Sequence, residues 1–159
     1  MDQEIASTLR QLLDTQPVAA LATIHRGEPA VSMVPFVLPK GSTEIVIHVS
    51  ALSTHTCDML EHPRVGFMVM ADSRAGVPPQ ALPRVSLQAV ARQLPAEGEE
   101  QERARAHYLA RFPQSADTFE LADFSLFVLH PVSARLIAGF GHAYSVVERR
   151  LMEWLHAVA

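Results

Sequence analysis

The chain contains seven apolar segments of strand length, joined by three short turns and three longer connections. They cover residues 18–24, 29–38, 44–50, 64–71, 84–94, 124–130 and 134–138. Successive strands joined by short turns pair antiparallel, and a sheet that closes on itself has no exposed edges. The sequence therefore predicts a mainly β fold with flanking helices (α+β), in which six or seven antiparallel strands form a small barrel.

Helices are predicted at both ends of the 159 residues, which we interpret as one domain spanning 1–159. The N-terminal helix, 2–15, places Ile5, Leu9, Leu12 and Leu13 on one face. The C-terminal helix, 145–158, would do the same for Val147, Leu151, Trp154, Leu155 and Val158. A surface helix is expected at 97–111, followed by a shorter one near 115–121.

Composition excludes several classes of function. The net charge is −4, so no broad basic surface is available for nucleic acid. One cysteine, Cys57, excludes an intramolecular disulfide and thiolate-rich zinc sites, and no metal site is expected. The polar N-terminus and the absence of long apolar runs predict a cytoplasmic protein without membrane segments.

Residues 51–60 contain the most distinctive polar pattern. Ser53, Thr54, His55 and Thr56 fall in the first turn of a predicted short helix between two strands. Unpaired N–H groups and the positive end of a helix favour a phosphate there. The alternative is that Ser53 only caps the helix and His55 is an ordinary exposed residue.

The strand at 84–94 alternates with period two, so Arg84, Ser86 and Gln88 share one face. Side chains fill the interior of so small a barrel. A cofactor is therefore expected on the outer wall or at a dimer interface.

Four motifs occur in a recognisable order: GEPAVSMVPF at 27–36, LSTHT at 52–56, PRVSLQ at 83–88 and GFGHA at 139–143. In this order they resemble the pyridoxamine 5′-phosphate oxidase-like FMN-binding split barrels, and within them the haem-utilisation branch. The resemblance covers roughly residues 5–145. It implies a split barrel of the FMN-binding type and a homodimer with the cofactor at the subunit interface.

The resemblance also assigns a role to each segment. The flavin ring would lie along the second strand, at Ser32, Met33, Val34 and Pro35. The phosphate would meet Ser53, Thr54, His55 and Thr56. Arg84, with Ser86 and Gln88 on its face, would supply polar contacts, and Gly141 and His142 would approach the cofactor of the other subunit.

One departure from the family bears on FMN affinity. Thr54 and His55 stand where the family has arginine and lysine. Each charge-assisted bond lost costs about 1.5–3 kcal/mol, so we expect weakened FMN binding. Protonation of His55 near its ordinary pKa would restore a charge and raise the affinity at lower pH.

The resemblance predicts an FMN-binding oxidoreductase acting on a small molecule, with catalytic residues and substrate unassigned. The alternative is a haem-binding or haem-utilisation protein using the same groove. For iron the candidate ligands are His48, His55 and His142, although none lies in an attachment motif. Larger haem-degrading relatives have an additional C-terminal region, which favours FMN over haem. A dimer that has lost its cofactor is a third alternative.

Overall fold

A computed structural model describes residues 2–156. The helices are α1 (Asp2–Thr15), α2 (Thr54–Glu61), α3 (Glu99–Arg111) and α4 (Glu148–His156). The strands are β1 (Val18–His25), β2 (Glu28–Pro35), β3 (Ile45–Ser50), β4 (Arg64–Met70), β5 (Arg84–Gln93), β6 (Phe124–Gly139) and β7 (His142–Val147). Short 3₁₀ segments lie at Pro79–Ala81 and Pro113–Glu120.

The strands form one antiparallel sheet with the order β2–β1–β4–β5–β6–β3. The edge of β6 that faces away from β5 pairs with β3 along its first half and with β7 along its second. The two ends of the path meet at a bridge between Val37 and Val46, with N–H···O distances of 3.0 and 2.8 Å. The described strands curl round without a continuous closing ladder, which confirms the predicted split antiparallel barrel.

Strand β6 is one element of 16 residues, whereas the sequence pattern predicts two strands separated at Pro131. The register with β5 shifts between Gln88 and Ala89, which pair with Ser133 and Pro131. The extra residue, Val132, forms a β-bulge. A bulge lets the ladder pass a proline, which has no N–H to donate.

The true seventh strand is β7, where the sequence analysis placed a turn and the start of the last helix. Helix α4 consequently begins at 148 instead of 145. Val147 belongs to β7 and is 58% exposed, so its predicted place on the buried helical face was wrong. Leu151, Trp154 and Leu155 are buried as predicted, and Val158 lies outside the described residues.

The main core lies inside the barrel and beneath α1 and α4. It includes the predicted apolar face of α1, namely Ile5, Leu9, Leu12 and Leu13. A second apolar cluster lies between α3 and the outer side of β3 and the first half of β6. Helix α3 therefore covers one part of the barrel wall and leaves the wall of β2, β1, β4 and β5 open.

No helix among residues 2–156 is long and apolar enough to cross a membrane.

Candidate functional site

The solvent-facing side of β2, β1, β4, β5, the second half of β6 and β7 forms a broad surface, which we call the outer face. Register brings Met33, Ala20 and Met68 side by side on three adjacent strands, and the same row continues through Ser86 and Arg135. Leu21 and its cross-strand partner Ser32 lie on the opposite side. Residues on the outer face therefore alternate with residues of the barrel interior.

The β2–β1–β4 part of the outer face is apolar and concave. Its groove of about 670 Å³ is lined by Val18, Ala20, Val31, Met33, Met68 and Met70, which we call the apolar trough, together with flanking residues. Val31 is 73% exposed and Met33 is 62% exposed. Clustered exposure of large apolar side chains marks a ligand or protein interface.

Small residues lie in the trough, at Ala20, and beside it, at Ala22 and Gly66. Ala20 and Ala22 lie on β1, and Gly66 pairs with Ala22 from β4. A Cβ atom at Gly66 would come within 3.2 Å of the Ala22 Cβ, so a larger residue there requires the strands to shift. The trough therefore has a floor suited to a flat ring system.

Beyond the trough the outer face becomes polar. Arg84, Ser86 and Gln88 share this side of β5, as predicted from their period-two spacing. The Arg84 guanidinium donates to the carbonyl oxygens of Gln80 and Leu82, at 3.1 Å each. These contacts fix Arg84 beside the trough, and no carboxylate within residues 2–156 forms an ion pair with it.

The start of α2 does not form the predicted phosphate socket as a unit. Ser53 occupies the N-cap position, but its side chain makes no capping hydrogen bond. Thr54 is exposed, whereas Thr56 is 2% exposed and donates through its hydroxyl to the Ser50 carbonyl at 2.7 Å. Thr56 therefore holds the preceding loop instead of facing a ligand.

His55 is also engaged by the protein. Its Nδ1 lies 3.0 Å from the Ser32 hydroxyl oxygen, and its Nε2 is buried with no hydrogen-bond partner among the described residues. Burial lowers the pKa of His55, and the nearby Asp58 carboxylate offsets this only in part. The expected gain of charge near the ordinary pKa is therefore displaced to lower pH.

A buried carboxylate lies one turn further along α2. Asp58, 3% exposed, accepts hydrogen bonds from the Thr23 hydroxyl at 2.7 Å and from His25 Nδ1 at 2.8 Å. Burial alone would raise the pKa of Asp58, but these two bonds and the charges of His25 and His55 hold it below its usual value. This cluster fastens α2 to the end of β1.

The predicted residues of β2 divide between the two sides of the sheet. Met33 and Pro35 lie on the outer face, whereas Ser32 and Val34 face inward, and Val34 is only 2% exposed. Only Met33 and Pro35 among the four present their side chains to a ligand on the outer face, and contact of a flavin ring with the backbone of this strand stays a prediction. A strand presents alternate residues to each side, so at most half of them reach a surface ligand.

Only some of the predicted groups meet within one protomer, since Ser32 contacts His55 but neither lies near Arg84 on β5. Ser32 on β2 is three strand spacings from β5, about 14 Å at about 4.8 Å per spacing, across the order β2–β1–β4–β5. His142 lies next to α1, in a separate cavity of about 320 Å³ lined also by Glu4 and Ile5. Gly141, in the β6–β7 turn, is exposed.

His48, a candidate iron ligand, is buried in an aromatic cluster. Its ring stacks on Phe119 with centroids 3.8 Å apart and contacts Tyr108 and Phe124. Burial and the positive charge of Arg105 lower its pKa to about 4. His48 is therefore not accessible to haem, and among residues 2–156 no group of three or more His, Cys, Asp or Glu side chains is placed to hold a metal ion.

Sequence reasoning missed most of the trough and one cation. Val31, Met68, Met70 and Arg135 were not chosen, because each was interpreted simply as part of a strand. Arg135 lies across from Ser86 and donates to the Ser145 hydroxyl at 3.3 Å. The period-two alternation that grouped Arg84 with Ser86 would have found Met68 and Met70 by the same rule.

Comparison with known proteins identifies the family to which the chain belongs. Residues 5–138 match the family described as pyridoxamine 5′-phosphate oxidase. Heme oxygenase HutZ of Vibrio cholerae serotype O1 is 28% identical over 150 residues, which are 93% of this chain and 84% of that protein.

Two solved structures of haem proteins are also similar. A heme-binding protein from Mycobacterium smegmatis has a TM-score of 0.82 and 30% identity over 96% of this chain, which spans 60% of that protein's length. HutZ, described as the heme storage protein from Vibrio cholerae, has a TM-score of 0.71 and 26% identity, with 80% of this chain and 89% of that chain covered. The chain therefore belongs to the pyridoxamine 5′-phosphate oxidase family, and its relatives are those of the haem-utilisation branch.

Proposed function

We propose that this protein binds haem on its outer face, with the porphyrin ring over the apolar trough. The trough itself carries the proposal, because its exposed Val31, Met33 and Met68 side chains surround a floor of small residues. A flat, apolar ring covers such a surface and removes it from water. The haem-related relatives support the same choice of ligand.

The residues present fit haem at both its apolar and its anionic parts. Arg84 lies beside the trough and has no carboxylate partner among the described residues, so it would pair with a propionate. The described histidines lie elsewhere, so the side chains of this face that would ligate the iron are the thioethers of Met33, Met68 and Met70. When bound, haem would supply a redox-active iron.

FMN is the second candidate, supported by the family match and by the exposed Thr54 at the start of α2. The phosphate end fits it less well. His55 is shielded and its pKa is lowered by burial, and no arginine or lysine stands among residues 53–56. The FMN-dependent oxidoreductase activity and its small-molecule substrate stay predictions.

We expect the functional form to be a homodimer with the cofactor between subunits. The trough is open on one side in the protomer, and Phe140, in the β6–β7 turn, is 80% exposed. A second copy would cover both, since apolar patches of this kind are rare on the surfaces of monomers. It would also bring the turn of one subunit near the face of the other.

The proposal is tested by titrating the purified protein with haemin and, separately, with FMN, and by recording absorbance spectra after gel filtration. We expect a retained Soret band and a dimeric mass by light scattering. Met33→Glu places a charge in the trough and should abolish haem retention. Leu121→Glu, at a residue 50% exposed outside the trough, is the matched control.

Two results would change the assignment. Retention of FMN with no Soret band after haemin addition would establish the flavin alternative. Haem binding that Met33→Glu leaves unaltered would move the site away from the outer face. Decay of the Soret band on adding a reductant in air would distinguish haem degradation from haem storage.

A further inference from the structure

Arg135 is a further cation of the outer face, and like Arg84 it lacks an ion-pair partner among residues 2–156. Its guanidinium donates to the Ser145 hydroxyl at 3.3 Å, and no ion pair involves it among the described residues. By contrast, Arg92 on β5 and Arg103 on α3 both pair with glutamates. Arginine holds carboxylates through its planar fork of donors, so an unpaired one on a concave face is prepared for an anion.

Strand register places Arg135 next to Arg84. Arg84 pairs with Ile137, and Ser86 pairs with Arg135, so the two arginines are diagonal neighbours on β5 and β6. Residues at diagonal positions lie about 7–8 Å apart. Two arginines with this spacing can each bind a separate anionic group. Both arginines border the same polar band beyond the apolar trough.

The β-bulge in β6 determines that Arg135 faces outward. The bulge at Val132 changes which residues of β6 face outward, so that Ser133 and Arg135 lie on the outer face after it. Ser133 donates to Gln88 Oε1 at 3.3 Å, and a shallow cavity of about 250 Å³ here is lined by Ser86, Arg135 and Ser145 among others. Hydroxyl groups and a guanidinium thus converge on an open space with no carboxylate among the lining residues.

We propose that Arg135, positioned by Ser145, is a second carboxylate-binding residue of the outer face. With Arg84 it would bind the two carboxylates of a planar dicarboxylate ligand whose ring covers the apolar trough. This inference rests on the proposed haem function and adds the residue that recognises the second propionate. It also predicts selectivity, since a planar ring without free carboxylates would gain nothing from either arginine.

The test compares ferric haem with its dimethyl ester as probes, using Soret absorbance to obtain dissociation constants for the full chain. Loss of one charge-assisted contact weakens binding by roughly tenfold to a hundredfold. We expect Arg135→Gln to weaken haem binding by about this factor and to leave ester binding unchanged. Ser145→Ala, which removes only the positioning hydroxyl, should weaken haem binding by less, about threefold.

Arg103→Gln is the charge-matched control, because this side chain is 63% exposed on α3, away from the outer face. If Arg103→Gln and Arg135→Gln weaken haem binding equally, the effect comes from the change in net charge, and the inference is overturned. Haem affinity unchanged in Arg135→Gln would overturn it while leaving the proposed function intact. A wild-type chain that binds neither probe would refute the proposed function and the inference together.

Discussion

Replacing His48 with phenylalanine tests whether a buried neutral imidazole makes folding depend on pH. His48 is 8% exposed and stacks on Phe119, and burial together with the Arg105 charge lowers its pKa from 6.5 to about 4. Phenylalanine keeps a stacked ring but cannot take up a proton. The substitution therefore removes the titration while preserving most of the packing.

The sign and size follow from proton linkage. Below the ordinary pKa of 6.5 the unfolded chain protonates His48, whereas the folded chain does not until about 4, so stability falls as pH falls through this window. Between about pH 7 and about pH 5 the loss attributable to this group is about 2 kcal/mol. His48→Phe should lose about 2 kcal/mol less than wild type over the same interval.

The assay is urea unfolding at several pH values, followed by the fluorescence of the single tryptophan, Trp154, which is buried in α4. His107→Gln, at an exposed position of α3, is the control and should leave the pH dependence unchanged. His48→Leu provides a smaller side chain should phenylalanine crowd the cluster. Parallel pH curves for wild type and both His48 variants would refute the linkage.

Three further predictions concern contacts described above. Arg10→Met should lower the unfolding free energy by about 3 kcal/mol, because this guanidinium is 1% exposed and donates to three backbone carbonyls, and thermal melting should show a drop of at least about 6 °C; a change below about 2 °C would contradict it. Asp58→Asn should flatten the acid unfolding curve, since the lowered pKa of Asp58 contributes stability that is present above its ordinary pKa and is lost as the carboxylate protonates; an unchanged acid midpoint would disprove this. Gly66→Val should reduce haem retention at gel filtration, because its side chain would project from the outer face beside the trough and crowd Ala22; undiminished retention in a folded variant would place the ring elsewhere.

The positions of most strands along the chain and the apolar face of α1 could be predicted from the sequence, because period-two and 3.6-residue patterns are local. The order of the strands within the sheet was not predicted, since it depends on pairing between distant segments. The division of β6 and the missed β7 share a different cause. Pro131 removes a donor, and a chain pattern alone does not reveal that a bulge will accommodate it. The glycines at 139 and 141 indicate a turn, and the segment HAYSVV that follows is short, so it forms a strand by pairing with the free edge of β6.

The candidate site could also be predicted only in part from the sequence. Arg84, Ser86 and Gln88 were found as one face because neighbours on a strand are related by simple alternation. The environment of His55 could not be predicted, since its burial depends on Ser32, 23 positions away. Arg135 was missed because its importance lies in the absence of a carboxylate nearby, which only the folded chain reveals.

The bulge in β6 has a consequence for how this protein tolerates change in length. Before it the inward residues are Phe127, Leu129 and Pro131, and after it they are Ala134 and Leu136, so the parity of the strand reverses at Val132. Deleting one residue here would reverse the side of the sheet that each later residue of β6 faces, and Arg135 would then point into the barrel interior. A substitution in this segment changes only the local packing. Deletion of a single residue would disrupt both the barrel core and the cationic surface at Arg135.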